Sequence, residues 1–229
     1  VQGLTEFLPV SSSGHLVVAR EYLGIETIPV LFDVLLHVAT LLVVVIVFRR
    51  RIGMILGALW RVLKRAPVEG DRLNLRLIPP LFIATVLTAG VGFGVSRFEE
   101  YFTGRLTSLL FLVTAGVLLL TLLSKPKRSY EVIGLREALW TGIGQGLGVF
   151  PGISRSGITI ASGLFAGMKR EEAGEFAFLL SIPAILGALL LKWGERAEMM
   201  EMISASSLIA GFVASFVVGL AALIFLLRL

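Results

Sequence analysis

The sequence predicts an all-α membrane protein, a polytopic helical bundle with two inverted-topology repeats, each containing a broken, re-entrant helix pair. Three observations carry that expectation. The 229 residues are 56% hydrophobic and only 16% charged, with a mean hydropathy of +0.90, well beyond a soluble domain. The apolar residues fall in long uncharged runs without strict alternation, as spanning helices do and β-barrel strands do not. Finally, the chain matches itself after a shift of 143 residues. Gln2-Gly-Leu-Thr-Glu-Phe-Leu-Pro-Val-Ser-Ser-Ser-Gly14 lies over Gln145-Gly-Leu-Gly-Val-Phe-Pro-Gly-Ile-Ser-Arg-Ser-Gly157, with seven of 13 pairs identical.

Residues 1–29 are broken by Pro9, Gly14 and Pro29 and contain Glu6, His15 and Arg20, which suits a discontinuous segment. Irregular backbone at membrane depth must be buried in protein or line a cavity. Residues 30–48 form the first clean span, interrupted only by Asp33 and His37. It closes on Arg49, Arg50 and Arg51, which puts that end on the cytoplasmic side. Residues 52–60 are too short to cross and lie between Arg51 and Arg61, so they read as an interfacial amphipathic helix leading into a polar linker over 61–76. Spans follow at 77–95 and 106–124, joined by an external loop in which Arg97 and Arg105 balance Glu99 and Glu100. Lys125, Lys127, Arg128 and Arg136 then return to the positive side. Beyond the segment that holds Arg155 come spans 176–191 and 202–227, separated by an acidic-leaning external loop with Glu195, Arg196, Glu198 and Glu201.

The net charge of +5 is explained by its placement. Eight of the 21 Lys and Arg fall within 49–76, beside spans, which is the positive-inside bias and not a nucleic-acid patch. The lack of cysteine excludes disulfides and Cys-ligated metals. The chain opens without a methionine and inside a motif. It reads as a single integral membrane unit over 1–229, a fragment from which the extreme N-terminus, and a last span beyond Leu229, are missing.

Repeat 1 covers about 1–48 and repeat 2 about 138–191. With one more residue of offset, Phe32-Asp-Val-Leu-Leu-His37 lies over Phe176-Ala-Phe-Leu-Leu-Ser181. The span closing the first repeat runs toward the basic side and the span closing the second runs away from it, so the halves are inverted. Inverted repeats with broken helices form binding sites near the midplane, where the breaks meet.

Residues 138–154 and 156–168 carry no charge, so Arg155 stands alone in Pro151-Gly-Ile-Ser-Arg-Ser-Gly-Ile-Thr159. An intramembrane arginine among helix breakers and hydroxyls is an anion site by default, because its planar fork matches phosphate and exposed backbone N–H groups add to it. Ser154, Ser156 and Thr159 complete the second break as anion-binding groups. The first break supplies Gln2, Glu6, Ser11, Ser12, Ser13 and His15. Glu6, with Gln2 one helical turn earlier, serves as a base or as a hard oxygen ligand for Mg²⁺ or Ca²⁺. For the nucleophile two readings stay open: Ser12 activated by Glu6 or His15, or His15 itself. His37, on one helix face with Asp33, is read either as support for the site or as structural.

These blocks closely resemble the undecaprenyl-diphosphate phosphatase family linked to bacitracin resistance. Gln2-x-x-x-Glu6 running into Phe7-Leu-Pro-Val-Ser-Ser-Ser-Gly-His15 resembles the family's Glu/Gln-x-x-x-Glu block, and 151–159 resembles its Pro-Gly-x-Ser-Arg-Ser-x-x-Thr block. The resemblance implies an enzyme of the bacterial cytoplasmic membrane that removes the terminal phosphate of undecaprenyl diphosphate and regenerates the lipid carrier for peptidoglycan synthesis. It also implies a divalent-metal requirement, a site opening to the outer face, and functional roles for Glu6, Ser12, His15, Ser154, Arg155 and Thr159. Gln2 stands where the family accepts Glu or Gln, which disfavours a mechanism needing two carboxylates at that spacing. A second lipid-phosphatase superfamily also uses a Ser-Gly-His block, but its Ser-Arg is followed after five residues by a histidine, and that position here is Ala161.

The alternative function is a transporter or flippase for an anionic prenyl lipid, for which Glu6, Ser12 and His15 would be surplus. A polyprenyl diphosphate and the membrane are the expected partners, and nucleic acid is not. Glycine-rich faces such as 90–94 permit helix contacts within one bundle or across a homodimer.

Overall fold

The computed structural model describes residues 1–25, 28–66, 68–98, 101–124 and 133–228, and every regular element among them is helical. Helices α1 (Gln2–Thr5) and α2 (Ser12–Leu23) flank the first break and lead into α3 (Val30–Val47). The chain then turns at Phe48 into α4 (Arg49–Leu63), followed by α5 (Asp71–Arg76), α6 (Ile78–Ser96) and α7 (Gly104–Leu120). Helices α8 (Leu135–Leu147) and α9 (Arg155–Phe165) flank the second break, ahead of α10 (Arg170–Lys192), α11 (Arg196–Met202) and α12 (Ala205–Leu226). Five stretches are long and apolar enough to cross a membrane: Val30–Val47, Asp71–Ser96, Gly104–Leu123, Arg170–Met202 and Ala205–Leu226. Each overlaps one of the five spans expected from hydropathy, so the chain is a multi-pass membrane protein. Residues such as Leu109, Leu112, Leu119 and Leu122 are exposed on α7 and the turn after it, the surface a spanning helix offers to lipid.

Two expectations need correction. The stretch 61–76 is not a plain linker: α4 continues to Leu63 and α5 occupies Asp71–Arg76. The local reason is Asp71, whose buried carboxylate accepts from Arg61 (Nε at 2.8 Å) and from the Val68 amide (3.1 Å), folding the segment back on α4. The span expected over 176–191 starts earlier, at Arg170, because Glu171 and Glu172 suit the positive end of a helix dipole. Glu99, Glu100, Lys125, Lys127 and Arg128 lie outside the described residues.

Matched positions of the two breaks share local features. Ser11 caps α2 by accepting from Gly14 N (3.3 Å), and Ser154, 143 residues later, caps α9 by accepting from Gly157 N (3.1 Å). The two breaks touch reciprocally. A Cβ on Gly14 would lie 2.7 Å from Gly152 N, and one on Gly157 would lie 3.0 Å from Pro9 Cβ, with Pro9 and Gly152 themselves repeat mates. The flanking helices pair in the same way. Gly3 of α1 packs on the backbone of Ser215 and Gly219 in α12, while its mate Gly146 of α8 packs on Val91 and Thr88 of α6. Small residues permit such close backbone approach, and in lipid that packing replaces the hydrophobic drive available in water.

Two apolar clusters support the breaks. Leu77, Ala84, Ala138, Leu164, Phe176 and Leu180 join α6, α8, α9 and α10. Phe7, Val43, Val44, Phe178, Ala222 and Leu223 join the first break to α3, α10 and α12. The Phe7 and Phe178 rings meet edge to face with centroids 5.9 Å apart. The breaks are thus held between α3 and α10.

Candidate active site

Glu6 follows the last residue of α1, inside the first break, and is the carboxylate on which the site converges. Its Oε1 accepts a charge-assisted bond from Arg155 Nη2 in the second break. Its Oε2 accepts from Ser12 Oγ and from Gln2 Nε2, the latter at 2.9 Å. The Glu6 side chain is 11% exposed and that of Arg155 23%, so this pair is largely desolvated and each charge depends on the other. Ser156 Oγ adds a bond to the Glu6 carbonyl at 3.1 Å. Residues 149 apart in sequence thereby form one constellation.

The remaining predicted residues divide. Ser11 is buried and holds a positive φ of 65°, unusual for a residue with a Cβ and characteristic of strained functional segments. Its hydroxyl is used twice in the architecture, accepting from Gly14 N and from Gly152 N (3.0 Å) across the junction. Ser13 lies 3.5 Å from that hydroxyl. Ser154 is buried as the α9 cap with Ser156 at 3.3 Å, and Thr159 donates to its own helix at Arg155 O (2.6 Å). Ser11, Ser154 and Thr159 therefore shape the junction, while Glu6, Ser12 and Arg155 form its hydrogen-bonded, charged centre.

His15 is exposed. Its Nδ1 is 2.8 Å from Ser11 O, a group that only accepts, so Nδ1 donates that bond. The ring rests edge-on against Phe111 at 5.0 Å between centroids. Of the two partners considered for Ser12, the structure joins it to Glu6.

One contributor is absent from the sequence reading. Thr114, in the apolar helix α7, donates to Gly152 O (2.8 Å) and accepts from Ser154 N (3.1 Å), bracing the second break from behind. A signal existed: Thr107 and Thr114 recur at heptad spacing in an otherwise apolar run, and both are buried. His37 was left open, and it faces the site, with Nε2 3.4 Å from Glu6 Oε2.

For a divalent cation the donor set is small. Among the described residues no group of three or more His, Cys, Asp or Glu converges on one point. Gln2 Oε1, however, is buried without a hydrogen-bond partner, one turn from the Glu6 carboxylate. These two hard oxygens suit Mg²⁺ or Ca²⁺ if the other ligands come from phosphate and water, the usual arrangement for Mg²⁺.

A serine held on a desolvated carboxylate, beside an arginine at a helix N-terminus, is an arrangement suited to phosphoryl chemistry within a membrane protein. Comparison with known proteins refines that class. All of residues 1–229 match the family described as bacitracin resistance protein BacA. The chain belongs to that family. It is 43% identical over its full length to an undecaprenyl-diphosphatase of Treponema denticola, covering 85% of that protein. It is 40% identical to one from Desulfosudis oleivorans (100% of this chain, 86% of the relative) and 39% identical to one from Carboxydothermus hydrogenoformans (100% and 85%).

Proposed function

We propose that this chain hydrolyses the terminal phosphate of undecaprenyl diphosphate to give undecaprenyl phosphate and phosphate, recycling the carrier lipid of peptidoglycan synthesis. The observation that carries the reading is the joining of Ser12, Glu6 and Arg155 across the two breaks. The family and the names of its relatives agree with it.

Phosphoryl transfer requires a placed nucleophile and neutralisation of the equatorial oxygens. In the resting site Arg155 is spent on Glu6. An arriving diphosphate offers it a bidentate partner, and the exchange leaves Glu6 free to act as a base. Ser12 Oγ then attacks the terminal phosphorus while Glu6 takes its proton. The bridging P–O bond breaks and polyprenyl phosphate departs. Water hydrolyses the phosphoserine, and the proton returns to Ser12. The N-terminal end of α9, capped by Ser154, adds its dipole to the charge on Arg155. Glu6 and Gln2 Oε1 would hold Mg²⁺ or Ca²⁺, which supplies further charge neutralisation when bound.

The exposure of His15, whose Nδ1 is bound back to Ser11 O, favours a second reading in which His15 is the nucleophile through Nε2. Acid treatment separates the two, since phosphoserine survives acid and phosphohistidine does not. Transport of an anionic prenyl lipid would leave the Ser12–Glu6 contact without a use.

The inverted relation of the two halves is supported by their matching caps and reciprocal glycine contacts. A site opening to the outer face of the cytoplasmic membrane is supported by Asp33 and His37, which lie in the half of α3 away from Arg49, Arg50 and Arg51. A homodimer belongs to the same reading, with Gly90 and Gly94 of α6 left uncovered for a second copy.

The test is phosphate release from a purified preparation given a farnesyl or longer prenyl diphosphate with Mg²⁺ or Ca²⁺, beside Arg155→Ala. Release that the variant lacks is the expected result. A folded parent that releases phosphate from no prenyl diphosphate would overturn the assignment.

A further inference from the structure

Helix α4 takes no part in the chemistry above, and charge fixes its position. It starts at Arg49, directly after the span α3 and at the basic end of that span. Arg51 reaches Glu175 near the start of α10 (2.6 Å) and Asn74 of α5 (2.8 Å). One turn on, Ile55 packs against the apolar cluster that contains Leu77. Ala58 is fully buried, and Arg61 closes on the buried carboxylate of Asp71. Helix α4 thus passes from the end of α3 over the start of α10 to α5. It lies across the basic ends of the bundle and not along a span.

The outer surface of α4 combines two features. Leu56, Leu59, Trp60 and Leu63, at i, i+3, i+4 and i+7, form an apolar stripe whose members are 59%, 38%, 59% and 69% exposed. Around it stand the exposed cations Arg49, Arg50, Lys64 and Arg65, with Arg72 and Arg76 on α5. Arg51 and Arg61 are spent on carboxylates, whereas these six make no ion pair among the described residues. Glu69 is the one exposed acid described within 49–76. Lys64 Nζ stands 4.7 Å from the centre of the Trp60 ring, so an indole and an ammonium share one end of the stripe. Arg72 and Arg76, one turn apart, line a shallow cleft with Val68, Leu75 and Pro79. The positive-inside bias accounts for basic residues beside spans. It calls for neither an exposed apolar stripe among them nor an indole in register with them.

We infer that α4 and α5 form a docking surface for the anionic phospholipids of the leaflet on the basic side. The stripe enters the acyl region while the cations meet phosphodiester headgroups, as in helices that lie in the plane of a membrane. Six cations against one acid select anionic headgroups. Spread along the 15 residues of α4, about 22 Å, they match a surface of headgroups better than a single bound anion. An acidic soluble partner would satisfy the cations and leave the stripe in water, whereas a lipid surface satisfies both. This surface is separate from the junction of the breaks and does not rest on the phosphatase reading.

The experiment uses Trp60 as its probe, with Trp140→Phe and Trp193→Phe removing the other two tryptophans. The protein is reconstituted in vesicles of an equimolar mixture of phosphatidylglycerol and phosphatidylcholine. Bromine is carried on the acyl chains of one lipid or of the other. Because bromine quenches an indole that it touches, the ratio of the two quenching yields reports which lipid lies at the stripe. Brominated phosphatidylglycerol should quench Trp60 about twofold more strongly than brominated phosphatidylcholine at low salt, since each cation near the surface attracts anionic lipid. The ratio should fall toward one in concentrated salt, which screens exposed charge. Replacing Lys64, Arg65, Arg72 and Arg76 together by glutamine should also bring it to one, at a thermal midpoint close to the parent's. A protein that keeps only Trp193, beyond the other end of α10, should show no preference for either lipid. Equal quenching of Trp60 by the two lipids at low salt overturns the inference, as does a ratio that survives neutralisation of the four cations. Quenching of Trp193 but not of Trp60 by both lipids also overturns it, because the stripe is then covered by protein, such as a second copy of the chain. Should the neutralised variant fail to fold, the parent still decides, since a ratio that salt leaves unchanged contradicts docking selected by charge.

Discussion

Replacing Gly14 by alanine tests whether the contact between the two breaks sets the reaction rate. The added Cβ would sit 2.7 Å from Gly152 N, 2.7 Å from Phe111 Cζ and 2.9 Å from Gly152 Cα. Ordinary contact begins at 3.4 Å, so relief requires a shift of about 0.7 Å, and two of the three obstacles are backbone. That movement parts the breaks at the Ser11–Gly152 bond, now 3.0 Å, and draws Ser12 and Glu6 away from Arg155. Overpacking of this kind costs about 1–3 kcal/mol, and alanine in a helix returns about 1 kcal/mol, so the protein remains folded with a thermal midpoint lowered by a few degrees. Activity is more sensitive, since a misplacement near 1 Å at reacting groups costs up to about 100-fold. The assay is steady-state phosphate release with thermal midpoints measured on the same detergent preparation. The expected result is kcat down about 10- to 100-fold with the midpoint nearly kept. Gly116→Ala, on α7 with open space around its Cα, should match the parent in both measurements. A Gly14→Ala enzyme within twofold of parental kcat would refute the view that the closeness of the breaks is catalytically required.

Arg155→Ala should reduce phosphate release by about 10³-fold, because it removes both the charge on the transferring group and the partner of a desolvated carboxylate; radiolabelled turnover measures it. Brief incubation with a terminally labelled prenyl diphosphate followed by acid quench should leave acid-stable label on the parent and none on Ser12→Ala, whereas acid-labile label persisting in that variant would point to His15. Thr114→Val removes two buried hydrogen bonds behind the second break and should destabilise by about 2–3 kcal/mol, seen as a lowered thermal midpoint with a smaller loss of activity. EDTA should abolish release, and Gln2→Leu should raise the Mg²⁺ concentration needed for half-maximal activity by about tenfold, because it deletes the buried oxygen that has no protein partner; an unchanged metal titration would exclude Gln2 as a ligand.

Much of this molecule is legible in its sequence for simple reasons. Lipid demands unbroken runs of apolar residues, so the five spans, and the basic end of α3 at Arg49, Arg50 and Arg51, are visible as composition. Pro9, Gly152 and the capping serines mark the breaks, because a helix cannot pass a proline without losing a bond and begins best after a hydroxyl acceptor. A lone arginine flanked by uncharged residues declares a buried partner, and the self-match at 143 residues indicates which segment supplies it.

Pairwise contacts were decided only by the tertiary structure. Sequence spacing relates residues on one helix, as Gln2 does Glu6, but the meeting of Glu6 with Arg155 depends on glycines that let two backbones approach to a separation no side chain allows. The same holds for His15 and His37. The sequence offers His15 as a candidate nucleophile and His37 as support for the site or as structural. The direction of α2 turns His15 outward onto Phe111, while the packing of α3 beside the first break brings His37 to Glu6. Thr114 resembled any hydroxyl that bonds its own helix until the second break was seen behind it. Composition and periodicity determine which segments enter the membrane and where they break, because those are local costs. Which side chain reaches which carboxylate is set by helix orientation and backbone proximity, quantities that exist only once the chain has packed.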